Sequence, residues 1–219
     1  MPPAGLPDWA IARGRAYNHF DAIDPARTAL VVIDMQSIFV AEGEVFGNER
    51  ARAIVPQVNR LARSMRHAGG HVIWTRQTVS QAPHLAMPEW QYDLSDPAVH
   101  RAVAAMSSET ASHDLFPGMA LGADDLVLDK FRYGAFSCPA GALAKGLQLH
   151  GIEMLVLTGT LTNVCVESTA REGNMRGYKV IVVADACAAV TGEEQQAALL
   201  NLRLNFADVK STGEVLSML

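Results

Sequence analysis

An α/β domain built on a central, mostly parallel six-stranded sheet is the fold class this sequence predicts. Three observations predict it. From residue 28 onward, short continuous apolar runs alternate with segments of helical periodicity. Several of those runs stop at a charged or polar residue just before a helix begins. The chain has 219 residues, 49% hydrophobic and 19% charged, so one domain spanning 1–219 can bury a full core.

Residues 1–20 read as an N-terminal arm, with Trp9, Tyr17 and Phe20 as candidate packing anchors. Ala29-Leu30-Val31-Val32-Ile33-Asp34 is apolar up to its final acid, the pattern of a strand buried on both faces. Val58, Leu61, Ala62 and Met65 recur at helical spacing, with Pro56 in the first turn and Gly69-Gly70 as the stop. His71 to Thr75 is the second strand and Leu126 to Lys130 the third. Pro139 opens a helix that carries Leu143 and Leu147 and stops at Gly151. Met154 to Thr158 is the fourth strand, and a helix starts near Asn163. Val180 to Asp185 is the fifth. Thr191 and Glu194 then have capping-box spacing ahead of a helix bearing Ala197, Leu200 and Leu204. Asp208-Val209-Lys210 is a short last strand, followed by a short helix.

The segment 77–122 breaks this rhythm. It has no strong strand, and Asp96-Pro97 starts a helix over about 97–106. Long connections inside compact domains are uncommon and mostly functional. It reads as a lid over the strand ends, with Trp90, Tyr92, His113 and Phe116 as candidate wall residues.

Several function classes are excluded on composition and motif. The formal charge of −5 does not fit a strongly basic nucleic-acid binder. No apolar run reaches the ~18–20 residues of a membrane span, and residues 1–9 lack the basic and apolar regions of a secretory signal. Neither a dinucleotide GxGxxG nor a GxxxxGK[ST] phosphate loop occurs, and there is no GxSxG elbow. The histidines show no converging metal-ligand spacing. The cysteines, at 138, 165 and 187, make no disulfide framework, so a reducing cytoplasm is the expected compartment.

In an open parallel sheet, ligands bind outside the carboxyl ends of the strands. Three residues stand out there. Cys165 falls in the first turn of a helix, just after the fourth strand and the turn Gly159 to Asn163. Unpaired N–H groups and the helix dipole in that position favour a thiolate and can face an oxyanion. Asp34 ends the first strand after a wholly apolar run, where a carboxylate is expensive unless paired or working. Lys130 ends the third strand. Carboxylate, ammonium and thiol converging at strand tips make an activated nucleophile. Cys187 sits among small residues and reads as structural; Cys138 lies near a helix start without a carboxylate partner.

Three segments then carry a resemblance: Leu30 to Gln36, Asp129 to Phe136, and Gly159 to Glu172. In this order they resemble the isochorismatase-like cysteine hydrolases, over about residues 28–210. The resemblance implies a three-layer Rossmann-like α/β fold and an Asp–Lys–Cys triad at Asp34, Lys130 and Cys165. It also implies a cis peptide at Thr160–Leu161 that aims the Leu161 and Cys165 N–H groups at one oxyanion. Thr75-Arg76-Gln77 stands where metal-dependent nicotinamidases carry an Asp-x-His, which implies no metal and no cofactor. Cys165 separates the chain from true isochorismatases, which lack the nucleophilic cysteine. The segments around Lys130 and Cys165 are most similar to those of ureidoacrylate, biuret and carbamoyl-amide hydrolases.

The implied activity is a metal-free cysteine amidohydrolase acting on a small ureido, carbamoyl or primary amide substrate through a thioester. Phe39, by family analogy, and Gln77, Tyr133 and Asn205 are the candidate substrate-binding residues. The implied partners are the small-molecule substrate and further copies of the chain, as a dimer or tetramer. Vinyl-ether hydrolysis and non-catalytic binding of a small molecule are the alternatives.

Overall fold

The computed structural model describes residues 5–219. Its strands are β1 (Thr28–Ile33), β2 (His71–Gln77), β3 (Leu126–Lys130), β4 (Met154–Thr160), β5 (Lys179–Ala188) and β6 (Asp208–Lys210). They form one sheet in the order β3-β2-β1-β4-β5-β6, and every pairing is parallel. The helices are α1 (Asp8–Arg15), α2 (Ser37–Val40), α3 (Glu49–Ala53), α4 (Val55–His67), α5 (Pro97–Ala105), α6 (Ala142–Leu149), α7 (Glu167–Met175), α8 (Gly192–Asn201) and α9 (Thr212–Met218). Among the described residues no helix is long and apolar enough to cross a membrane.

All six residues of β1 are buried, because both faces of the sheet are covered. Val31 and Ile33 join Leu155, Leu157, Val180 and Val182 in a core shared with Leu143, Leu147, Ala170 and Leu199 of α6, α7 and α8. Leu30 and Val32 join Val156, Ile181 and Val183 on the other face, against Val58, Leu61 and Met65 of α4 and Val215 of α9. The apolar runs in the sequence are continuous because adjacent residues serve different cores.

Several expectations shift at the edges. Pro139 does not open α6; the helix starts at Ala142, behind Gly141, whose φ of +61° turns the chain into it. β5 continues past Asp185 to Ala188, pairing again with β4 beyond a register shift at Gly159. Gly159 has φ +109°, and a Cβ there would lie 2.0 Å from the Ile33 carbonyl oxygen. Only glycine allows β1 and β4 to approach this closely. The helix expected near Asn163 begins as a π-helical turn, Thr162–Val166, which runs into α7.

The arm packs on its own chain, but not through the aromatic residues expected. Leu6 and Ala10 are buried, and Gly14 lies so close to Arg203 that a Cβ would sit 2.3 Å from its carbonyl oxygen. Small residues let α1 approach the segment 202–206, so Trp9 (56% exposed) and Tyr17 (67% exposed) stay outside. Phe20 alone of the three packs against a core.

Candidate active site

The strand order reverses between β1 and β4. The chain moves from β1 toward β2 and β3 on one side, and from β4 toward β5 and β6 on the other. The helical connections therefore diverge there and leave a crevice at the carboxyl ends. Asp34 follows β1 at this point, and its φ of +50° is uncommon for a non-glycine residue. Its N–H donates to the Thr75 carbonyl at 3.2 Å, and Thr75 Oγ1 donates to Asp34 Oδ1 at 2.7 Å. The turn after β4 contains a cis peptide bond between Thr160 and Leu161 and leads into the π-turn that carries Cys165. Such turns often mark functional sites.

Lys130 joins the two halves. Its Nζ lies 2.8 Å from Asp34 Oδ2 and 3.4 Å from Cys165 Sγ. It also donates to Gln77 Oε1 at 2.6 Å and to the Arg132 carbonyl at 3.1 Å. β3 is not a neighbour of β1; β2 lies between them, and its Thr75 and Gln77 fill the gap. All three charged or nucleophilic groups are almost fully buried. Burial works against the Lys130 charge, but Asp34 and Cys165 hold its pKa above the ordinary lysine range. Burial pushes the Cys165 thiol up to about 12; Lys130 pulls it down, and Asp34, by charge and hydrogen bond, raises it further. The resting site is thus a neutral thiol beside an Asp34–Lys130 ion pair. The helix terminus does not act alone on the thiol, because burial raises its pKa.

Asp34 and Cys165 form the floor of a cavity of about 560 Å³, with Lys130 behind them. Leu161 and Cys165 border it, as do Phe39, Gln77 and Tyr133. Phe39 stacks on Phe46 with ring centroids 6.3 Å apart. Gln77 gives its oxygen to Lys130, while its buried Nε2 has no acceptor. Asn205 is not brought here. It is exposed in the π-helical turn Leu202–Phe206, and its carbonyl accepts from Asn18 Nδ2 at 2.9 Å.

From the long segment, Tyr92 and Met106 reach the cavity. Tyr92 shares a hydrogen bond with Tyr133, and burial, followed by Tyr133, holds its hydroxyl above the usual range. The other expected wall residues point elsewhere. Trp90 is 85% exposed, His113 is buried with a nitrogen 2.7 Å from Thr78 Oγ1, and Phe116 packs against the α4 side of the sheet.

Sequence reasoning missed Thr75, Gln36 and Gln195. Gln36 donates to the carbonyls of Gln77 (3.1 Å) and His113 (2.8 Å) and accepts from the Gln77 N–H (2.7 Å), tying the long segment to β2. Gln195 accepts from Thr162 Oγ1 at 2.6 Å and from the Ala189 N–H at 2.9 Å, bracing the turn before Cys165. The signal for Gln36 lay in its place two residues after Asp34.

The Isochorismatase domain model matches residues 28–214. The chain belongs to the isochorismatase family. Among isochorismatase-family relatives, ureidoacrylate amidohydrolase RutB of Serratia proteamaculans is 33% identical over 201 residues, covering 84% of this chain and 79% of the relative. A cysteine hydrolase from Pseudomonas syringae pv. phaseolicola superposes with TM-score 0.81 at 28% identity, covering 92% of this chain and 96% of that one. N-carbamoylsarcosine amidase from Thermoplasma acidophilum shares the fold, with TM-score 0.67 at 24% identity over 85% and 96% of the two chains.

Proposed function

We propose that this isochorismatase-family hydrolase is a cysteine amidohydrolase. It cleaves the C–N bond of a small ureido, carbamoyl or primary amide substrate through a thioester. The observation that carries the reading is one chain of contacts at the cavity floor, from Cys165 Sγ to Lys130 Nζ (3.4 Å) to Asp34 Oδ2 (2.8 Å). The amidohydrolase names of relatives such as RutB agree with it.

In the first step Asp34 takes the Cys165 proton as the sulfur attacks the substrate carbonyl carbon. Concerted transfer to a fixed base avoids forming a free thiolate, which the raised thiol pKa disfavours. The oxyanion is met by the N–H groups of Leu161 and Cys165, both at the cavity edge. Asp34 then passes the proton to the leaving nitrogen, the C–N bond breaks and a thioester remains. Water, deprotonated by Asp34, attacks that carbonyl; the C–S bond breaks and the proton returns to sulfur. Lys130 stays protonated throughout and keeps Asp34 and Cys165 in register. Phe39, Gln77 and Tyr133 contact the substrate; Asn205 has no part.

The proposal extends to a homo-oligomer, a dimer or tetramer, in the cytoplasm, where free thiols such as Cys165 persist. Mass spectrometry during turnover tests the chemistry. The expected species is the intact chain plus the acyl group, mapped to the Cys165 peptide and absent in Cys165→Ala. Steady ammonia release by Cys165→Ala overturns the mechanism.

A further inference from the structure

The amide chemistry at the floor says nothing of the substrate's other end, which meets the walls of the same cavity. Phe39, Phe46, Met106, Leu161, Val164 and Val190 line the cavity above the reacting groups. At about 560 Å³ it falls within the ~300–1,000 Å³ usual for drug-sized ligands, well beyond the needs of a bare urea or acetamide. Among the described residues that line it there is no Arg or His, and no Lys. Lys130 lies behind the floor, with Asp34, Gln77, Cys165 and the Arg132 carbonyl around its ammonium. The one charged side chain at the mouth is the exposed Glu49, an anion. A carboxylate on the substrate would lose its hydration against apolar walls, meet no cation and face a like charge.

We infer that the substrate is an uncharged primary amide bearing an apolar group of about phenyl size. The apolar group stacks along Phe39 and Phe46, and the carboxamide reaches down to Cys165. The buried Gln77 Nε2, which has no acceptor in the protein, donates to the amide end. This inference rests on the amidohydrolase reading for its amide but not for its apolar tail. It sets the chain apart from enzymes for anionic ureido acids, whose sites must supply a cation.

The test uses two readouts on the full-length protein. Calorimetry with Cys165→Ala measures binding of 3-phenylpropanamide, succinamate and N-carbamoyl-β-alanine. Ammonia release by the wild type measures turnover of the same three. The phenyl amide is expected to bind and turn over about 10²-fold better than either anion. Equal or better binding of an anion overturns the inference while leaving the hydrolase reading intact. Selective binding of the phenyl amide without ammonia release supports the tail specificity and overturns the hydrolase reading. Val190→Arg, at a 55% exposed position on the cavity mouth, adds the missing cation and should raise succinamate kcat/KM about 10-fold. No gain there, in a variant with wild-type melting, counts against the inferred basis of discrimination.

Discussion

Two buried carboxylates in this molecule look alike in isolation and differ in their company. Asp208, at the start of β6, is fully buried and held by Arg203, by Lys210 Nζ at 3.1 Å and by the Phe20 N–H at 2.9 Å, with His19 Nδ1 3.4 Å away. Asp34, at the end of β1, is 1% exposed and held by Lys130 and Thr75. Arg203, Lys210 and the Phe20 N–H neutralise Asp208, and the Phe20 bond ties the arm to the sheet. Asp34 shares its cation with a thiol and opens on a cavity at the strand-order reversal. Burying a charge is therefore no mark of catalysis. The mark is a buried charge whose cluster contains a group able to react and space for something to react with.

Paired substitutions separate the two sites, and the largest effect falls on catalysis. Cys165→Ala and Asp34→Asn should each lower turnover by about 10³-fold or more, since nucleophile and base act as a unit. Asp208→Asn should leave kcat of the folded enzyme within about 2-fold. It should instead destabilise the fold by about 3–5 kcal/mol, because Arg203 and Lys210 lose the charge that compensates their burial. Thermal melting would then fall by roughly 10 °C. If Asp208→Asn is dead but stable, or Asp34→Asn is active, the distinction collapses.

A second contrast concerns the thiol. With its pKa raised to about 12, chiefly by burial, Cys165 should alkylate with iodoacetamide about tenfold faster per pH unit from 7 to 10, without a plateau. Asp34 raises that pKa by charge and by accepting the thiol proton. Its removal in Asp34→Asn should lower the thiol pKa and speed alkylation at pH 8 by about 10-fold while hydrolysis stops. Peptide mapping distinguishes Cys165 from the buried Cys138 and Cys187. A plateau below pH 9 in the wild type would mean a standing thiolate and would remove the need for Asp34 as base.

The sheet and the Asp34–Lys130–Cys165 cluster were legible because their physics is local. A strand covered on both faces must be a continuous apolar run, and an acid or lysine closing such a run stands out, as Asp34 and Lys130 do. What escaped depends on contacts distant in sequence. Asn205 lies between Leu204 and Phe206, and nothing local says that its carbonyl meets Asn18 while its side chain misses the cavity. Trp90 and Tyr92 are aromatic residues two positions apart in one loop, yet only Tyr92 turns inward. The helix terminus before Cys165 is visible in sequence, but the burial that raises the thiol pKa is not. Thr75 was hidden by its own suitability: a β-branched residue in a strand needs no other explanation.

Thr75 also provides the finest test of the comparison. Its hydroxyl donates to Asp34 Oδ1 at 2.7 Å and receives the Asp34 N–H at 3.3 Å, at a residue whose φ is +50°. It touches no cavity and so acts only by fixing the carboxylate that does. Valine has nearly the same shape and keeps the strand, so Thr75→Val should fold normally. It should lower kcat about 10-fold with KM within about 2-fold, because substrate contacts are untouched while the base is less well aimed. Thr75→Ser, which restores the hydroxyl, should recover most of the rate. A merely structural role predicts the opposite pattern: the serine variant, with its smaller side chain in a packed strand, would be the more damaged of the two, and melting would track activity. Rescue by serine with unchanged melting would identify Thr75 as a positioning residue for Asp34. Asp208 has no hydroxyl in that position; Arg203, Lys210 and the Phe20 N–H hold it instead.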